Sequence, residues 1–251
     1  MYYYVLEGQS ARKGQRFRER LTDLATDVGI AGEMVVQSSL KSVSDLLDVG
    51  IRKGYTTMVA VGSDAHISRV ITALMQRKPT DRPVLGTVPT DKTSSIGLML
   101  GIPSLRHALQ ALKLRHLAYA TLAEIDPRKF LLTSASIVAR RAVSFEVTVD
   151  AARLEVMATR VTVTGDGHVE IHNRHAEGTM LTRGVTWLIG ATLEARATSL
   201  LQGRRIRVST NPPLPLTYEH ETLAKTPVVL EIRRRALKIV IARANLSIDE
   251  E

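Results

Sequence analysis

Three adjacent residues, Gly62-Ser63-Asp64, bring a glycine, a hydroxyl and a carboxylate together where an apolar run gives way to a helical pattern. They lie in the stretch TTMVAVGSDAHISRVITAL, residues 56–74. Met58 to Val61 reads as a strand, and Ile67, Val70, Ile71 and Leu74 recur at helical spacing. A strand, a glycine turn and a helix can hold phosphate, because the first turn of a helix offers free N–H groups and the positive end of its dipole. Asp64 could then help to hold a metal-bound phosphate. The same spacing fits a plainer role, in which Asp64 caps the helix that begins near His66.

A second stretch, GTVPTDKT from Gly86 to Thr93, follows the phosphate-loop pattern except at Asp91, which stands where the second glycine belongs. A carboxylate there repels phosphate, so the match reads as coincidence, with Lys92 left as a lone phosphate contact. His168 and His172 share one face of a strand-like H-x-E-x-H run, with His175 nearby, and two ligands on a strand could start a metal site. No third partner presents itself, a surface hairpin accounts for the run, and no metal ligand is assigned. No Ser–His–Asp or paired-carboxylate arrangement follows from spacing.

The elements that must position these residues fall into two halves. In the first, strand-like and helix-like segments alternate. Tyr2 to Leu6, residues 33–37, Met58 to Val61 and residues 82–89 read as strands. Phe17, Leu21, Leu24 and Val28, and then Val43, Leu46, Leu47 and Ile51, recur at helical spacing. Residues 94–112 carry one or two more helices, broken at Gly101-Ile102-Pro103. Such alternation implies a parallel sheet covered on both faces. From about residue 115 short runs punctuated by Gly, Pro, Asn and Asp read as successive strands: HLAYATLAEI, KFLLTSASIV, VSFEVTVD, ARLEVMATRVTVTG, GHVEIH, VTWLIGATL, RRIRVST, PVVLEIRR and LKIVIA. The expectation is an α/β domain over 1–112 followed by an antiparallel β-sandwich over 113–251.

Composition bounds the partners. The chain has 251 residues and no cysteine, which excludes disulfides and thiolate metal sites and makes the cytoplasm the default compartment. The longest apolar runs fall short of the ~20 residues that a bilayer-spanning helix needs. MYYYVLEG lacks the basic start of a signal peptide and reads as a first strand. A net charge of +9 favours anionic partners. With 4% aromatic residues, base-stacking platforms are scarce, which argues against nucleic acid. The basic clusters Arg12-Lys13 with Arg16, Arg18 and Arg20, then Arg204-Arg205 with Arg207, then Arg233-Arg234-Arg235 with Lys238, could together meet an anionic membrane lipid. Each is also what a solvated face looks like. A homodimer is left open.

The order of pieces resembles the diacylglycerol kinase catalytic-domain family, which includes bacterial lipid kinases and sphingosine kinases, nearly end to end. The family's N-P-x-S-G turn falls on Glu7-Gly8-Gln9-Ser10-Ala11, which keeps the serine. Its G-G-D-G-T falls on Gly62-Ser63-Asp64-Ala65-His66, where the first glycine and the aspartate survive. Its P-x-G-T-x-N-D, then L-G-I-P, falls on Pro89 to Ser95 and Leu100-Gly101-Ile102-Pro103; the flanks match and the centre does not. Its D-D-G-x-L-D lands on Thr182 to Trp187, with every acid gone. Its D-G-E lands on Glu219-His220-Glu221, which keeps the glutamate, ahead of Thr226-Pro227-Val228.

The resemblance implies a NAD kinase/diacylglycerol kinase-like α/β domain, a β-sandwich, and descent from an enzyme that phosphorylates a lipid hydroxyl with ATP and Mg²⁺. It implies Ser10, Gly62, Ser63, Asp64, Lys92 and Thr93 as nucleotide-binding positions, and Asp64 and Glu221 as catalytic ones. The pattern of loss implies more. Ser63 and Ala65 put side chains where phosphate approaches backbone, and phosphoryl transfer depends on such positioning groups. The expectation is a degenerate lipid kinase with a binding or scaffold role, cytoplasmic and peripheral at an anionic membrane. The alternatives are an active kinase with a rearranged site, in which Asp64, Lys92 and Glu221 position metal, contact phosphate and act as general base, and a nucleic-acid binder.

Overall fold

The structure is a computed structural model, and it describes residues 1–8, 11–125, 128–172 and 198–242. The chain forms two compact units. One comprises Met1–Leu122 and the residues from Arg233 onward, and the other is Ala123–Ile232.

The first unit begins with β1 (Tyr2–Leu6), α1 (Ala11–Val28), β2 (Gly32–Val36), α2 (Val43–Arg52), β3 (Thr57–Gly62) and α3 (Asp64–Met75). It continues with β4 (Val84–Pro89), α4 (Ser95–Met99) and α5 (Leu105–Leu114). β1 pairs in parallel with both β2 and β3, and β3 pairs in parallel with β4, so these strands lie in the order β4-β3-β1-β2. All six residues of β3 and of β4 are buried, as a parallel sheet covered by helices requires. Tyr3, Tyr4, Val5, Met58, Val59 and Leu85 fill the centre of the sheet.

Local chemistry sets the helix ends. Ser42 and Asp45 form a reciprocal capping box on α2. Ser94 and Ser104 cap α4 and α5 through their hydroxyls. Between those two helices Gly101 adopts φ +71, a left-handed conformation that glycine takes without a Cβ clash. The Gly-Ile-Pro break thus separates two helices, one of the arrangements the sequence allowed.

The second unit is antiparallel. It is built from β6 (Lys129–Leu131), β7 (Ser134–Val149), β8 (Ala152–Thr164), β9 (His168–His172), β10 (Thr198–Gln202), β11 (Arg205–Thr210), β12 (Pro215–Tyr218) and β13 (Glu221–Lys225). Two strands have residues in both units: β5 (His116–Ile125) and β14 (Val228–Ile241). β10-β9-β8-β7-β11-β14 run in spatial order, and β12 joins the first part of β7 while β11 joins the second. The register of β7 with β8 shifts between Val138 and Val143. One core, with Ile137, Phe145, Val161, Val169, Ile206, Leu216 and Leu230, lies under both parts of β7.

In the first unit β14 continues the parallel set, with Ile239 opposite Leu85 of β4. Its exposed Arg235 and Lys238 flank the Tyr119 ring at 4.4 and 5.5 Å from its centroid. Among the described residues no helix is long and apolar enough to cross a membrane.

Candidate functional site

Topology marks one edge of the first unit. β1 connects forward to β2 on one side of it, and the chain then returns to β3 on the other side. The crevice outside the carboxyl ends of β1 and β3 is the switch point where open α/β sheets bind ligands. Glu7 follows β1 there, and Gly62-Ser63 follow β3. A cavity of about 570 Å³ opens beside them, lined by Leu6, Glu7, Phe17, Val61 and Thr90 among others.

Ser63, not Asp64, caps α3: its hydroxyl accepts from the His66 N–H at 3.3 Å. The plainer reading of Asp64 as the cap of its own helix is therefore corrected. An extended backbone at Ser63 turns its Oγ back over the helix, while Asp64 has already entered the first turn and points elsewhere.

Asp64 is 3% exposed, and it binds the head of a different helix. The Ser94 hydroxyl donates to its Oδ1. Its Oδ2 accepts from the Ser95 N–H at 2.7 Å, the Ser95 hydroxyl at 2.7 Å and the Ile96 N–H at 3.2 Å. A carboxylate at the start of α4 meets both the free N–H groups and the positive dipole end of that turn. Asp64 thereby ties α3 to α4.

The head of α3 holds a carboxylate too. Glu7 accepts from the Ser63 N–H at 2.8 Å and the Ser63 hydroxyl at 2.9 Å, and Arg69 reaches it at 3.3 Å. Gly62 makes room for this. A Cβ at that position would lie 2.7 Å from both Cβ and Oε2 of Glu7.

Beneath them His66 is fully buried, with Nε2 3.1 Å from the Val5 carbonyl and Nδ1 3.2 Å from the Gln37 side-chain amide. Desolvation lowers its pKa from the ordinary 6.5, against the opposing pull of the Val5 carbonyl and the Glu7 charge. A neutral ring has one N–H. It goes to Val5, whose carbonyl can only accept, and Nδ1 then accepts from the Gln37 NH₂ with that amide flipped.

Lys92 and Thr93 are exposed in the turn between β4 and α4. Gly86 sits inside β4, so the phosphate-loop-like stretch is a strand and a turn, not a glycine loop. Glu221 opens β13 in the second unit, exposed, after the left-handed pair Glu219 and His220. Ser10 and the stretch Thr182 to Trp187 lie outside the described residues, as does the expected strand VTWLIGATL.

His168 faces Asp166 at 3.0 Å and His172 faces Glu170 at 3.6 Å. Four residues apart on β9, their Cα atoms lie about 13 Å apart by the rise of a strand, and each imidazole is turned to a different carboxylate. Among the described residues no three acidic or imidazole side chains gather as a metal site. Sequence reasoning missed Glu7 and Arg69. In the sequence Glu7 stands only at the head of a turn that keeps the family's serine, and Arg69 carries no signal.

No family model matches the chain. A protein from Enterobacter sp. (strain 638) named "Probable lipid kinase YegS-like" is 27% identical over 133 residues, which is 53% of this chain and 44% of that protein. One from Salmonella heidelberg (strain SL476) named "Probable lipid kinase YegS" is 34% identical over 99 residues, 39% of this chain and 32% of that protein. The chain thus spans less than half the length of these curated relatives. A crystal structure of a diacylglycerol kinase from Bacillus anthracis str. Sterne superposes with a TM-score of 0.77 over 97% of both chains, at 12% identity. At that identity the superposition establishes the fold. The chain thus has the fold of that diacylglycerol kinase structure and a partial sequence similarity to proteins named probable lipid kinases.

Proposed function

We propose that this chain keeps the lipid kinase frame as a binding protein for an anionic lipid surface and does not transfer the γ-phosphoryl group of ATP. One observation carries the reading: the Asp64 carboxylate is buried and spent on four donors from Ser94, Ser95 and Ile96. To position a cation, it would have to release the head of α4. The Ser63 donors at the head of α3 are likewise committed, to Glu7. As folded, these residues do not fit a magnesium-bound phosphate chain. Among the described nucleotide-binding positions Lys92 and Thr93 are exposed, and a single ammonium supplies little of the positioning that phosphoryl transfer needs.

The surface side of the proposal rests on charge. The net charge is +9, and Arg233, Arg234, Arg235 and Lys238 are all exposed along one strand. The test pairs calorimetric titration of Mg-ATP with flotation on anionic vesicles. The expected result is no nucleotide heat and ATP-independent, salt-sensitive flotation. ATP turnover on diacylglycerol or a mixed lipid extract, lost in a folded Asp64→Asn variant, would establish the active kinase instead.

A further inference from the structure

We propose that Glu7 is a built-in anion: its carboxylate occupies a phosphate-class anion site formed by the Ser63 N–H, the Ser63 hydroxyl and the Arg69 guanidinium. This rests on the reading above and says why the head of α3 does not take a nucleotide phosphate.

The donor set is the kind that phosphate selects. It comprises a main-chain N–H at the start of a 12-residue helix, a hydroxyl, and a guanidinium from the next turn of the same helix. All three already converge on an anion. Oε2 of Glu7 takes the N–H at 2.8 Å, and Oε1 takes the hydroxyl at 2.9 Å and Arg69 at 3.3 Å. The carboxylate is delivered by fixed backbone rather than by a loose loop. The Glu7 N–H donates to the Val61 carbonyl at 2.8 Å, and the Leu6 carbonyl accepts from Gln37 at 2.9 Å.

Gly62 is needed for the same contact, since any Cβ there would collide with Glu7. Glu7 lies in the wall of the cavity beside the switch point, Ser63 is half-buried and Arg69 is exposed, so the contact can be reached from solvent. A second anion brought to these donors meets the fixed negative charge at contact distance, with none of the donors free to reward it.

The experiment compares the wild type with Glu7→Ala and Glu7→Ser, the second leaving a hydroxyl near the Ser63 amide. Each folded protein is titrated with inorganic phosphate at constant ionic strength, following the Ser63 amide resonance and the heat of binding. ATP without magnesium forms a second arm that separates free phosphate from nucleotide. The expected result is wild-type binding too weak to saturate over the titration, and phosphate binding in either variant at least about tenfold tighter than that bound, since hydrogen bonds to a charged group are individually worth that factor. Adding Arg69→Ala removes the gain. A wild type that already binds phosphate at Ser63, or a folded variant that gains nothing, overturns the proposal. Neither outcome depends on turnover. A wild type that hydrolyses ATP while Glu7→Ala still gains phosphate binding would sink the proposed function and spare this inference.

Discussion

At the scale of single residues, Asp64 behaves as a structural anchor. Replacing it with alanine strands two serine hydroxyls and two backbone N–H groups in a buried place, and hydroxyls can turn to new partners while N–H groups cannot. Asp64→Ala should therefore lose about 3 kcal/mol in urea unfolding, and Asp64→Asn about 2 kcal/mol, because an amide turns an NH₂ toward donors. A stability unchanged in both would mean that the carboxylate is held in reserve for chemistry. His66 gives a second prediction, read from pH. Its folded pKa lies below the unfolded 6.5. As pH falls through 6.5 the unfolded chain takes up a proton that the buried ring refuses, so stability is complete above that value and declines below it. Melting temperatures measured from about pH 7 down to about pH 5 should fall less in His66→Gln than in the wild type, with Glu7 and Arg69 the nearby charges common to both. Much of this site could be read from the chain. Gly62-Ser63-Asp64 stands at a strand-to-helix junction as its pattern says. What the pattern could not show is where each side chain goes. Glu7 meets Ser63 only because β1 and β3 are neighbours, a contact 56 residues long in sequence.

At the scale of elements, the α/β half was legible because its periods are clean. Phe17, Leu21, Leu24 and Val28 recur at helical spacing along α1, and the apolar run Met58 to Val61 is a fully buried parallel strand. The β half was read less well, for physical reasons. β7 looks like two strands because Arg140 and Arg141 interrupt its apolar alternation; they fall where its register with β8 shifts, and the strand passes through. β14 likewise looks like two, divided at the exposed arginines 233–235, of which Arg235 has φ +49. β12 and β13 are short, proline-flanked and half exposed, so they carry little signal. The capping box of α2 was present in the sequence as Ser42 and Asp45, and it is the simplest element to test. Ser42→Ala removes the hydroxyl that accepts from the Asp45 N–H and binds its carboxylate. It should cost about 1 kcal/mol by chemical denaturation, with the slope of the transition unchanged. A cost near zero would mean that packing of Leu46 and Leu47 holds that helix end without the cap.

At the scale of the whole molecule, the positive charge matters less as a total than in its placement. Arg205 pairs across β11 and β14 with Glu231, and Ser209, on the same face of β11, stands opposite Glu146, itself ion-paired to Arg153 at 3.2 Å. The arginines of β11 thus sit in a mixed field. On β14, Arg234, Arg235 and Lys238 all lie beyond its one acid, Glu231, and two of them gather at Tyr119, whose ring can sit at a headgroup boundary. Two double variants separate placement from total. Arg234→Glu with Lys238→Glu, and Arg205→Glu with Arg207→Glu, each lower the net charge of +9 by the same four units. If the proposed lipid surface is met through β14, the first pair weakens flotation on anionic vesicles by roughly 30-fold, at about 1 kcal/mol for each near-surface cation. The second pair changes it far less. Raising salt from about 0.1 M to about 1 M shortens the screening length from about 10 Å to about 3 Å and should erase the difference between them. Equal losses in the two variants would show that the vesicles sense only net charge, and β14 would then have no claim as the docking strand.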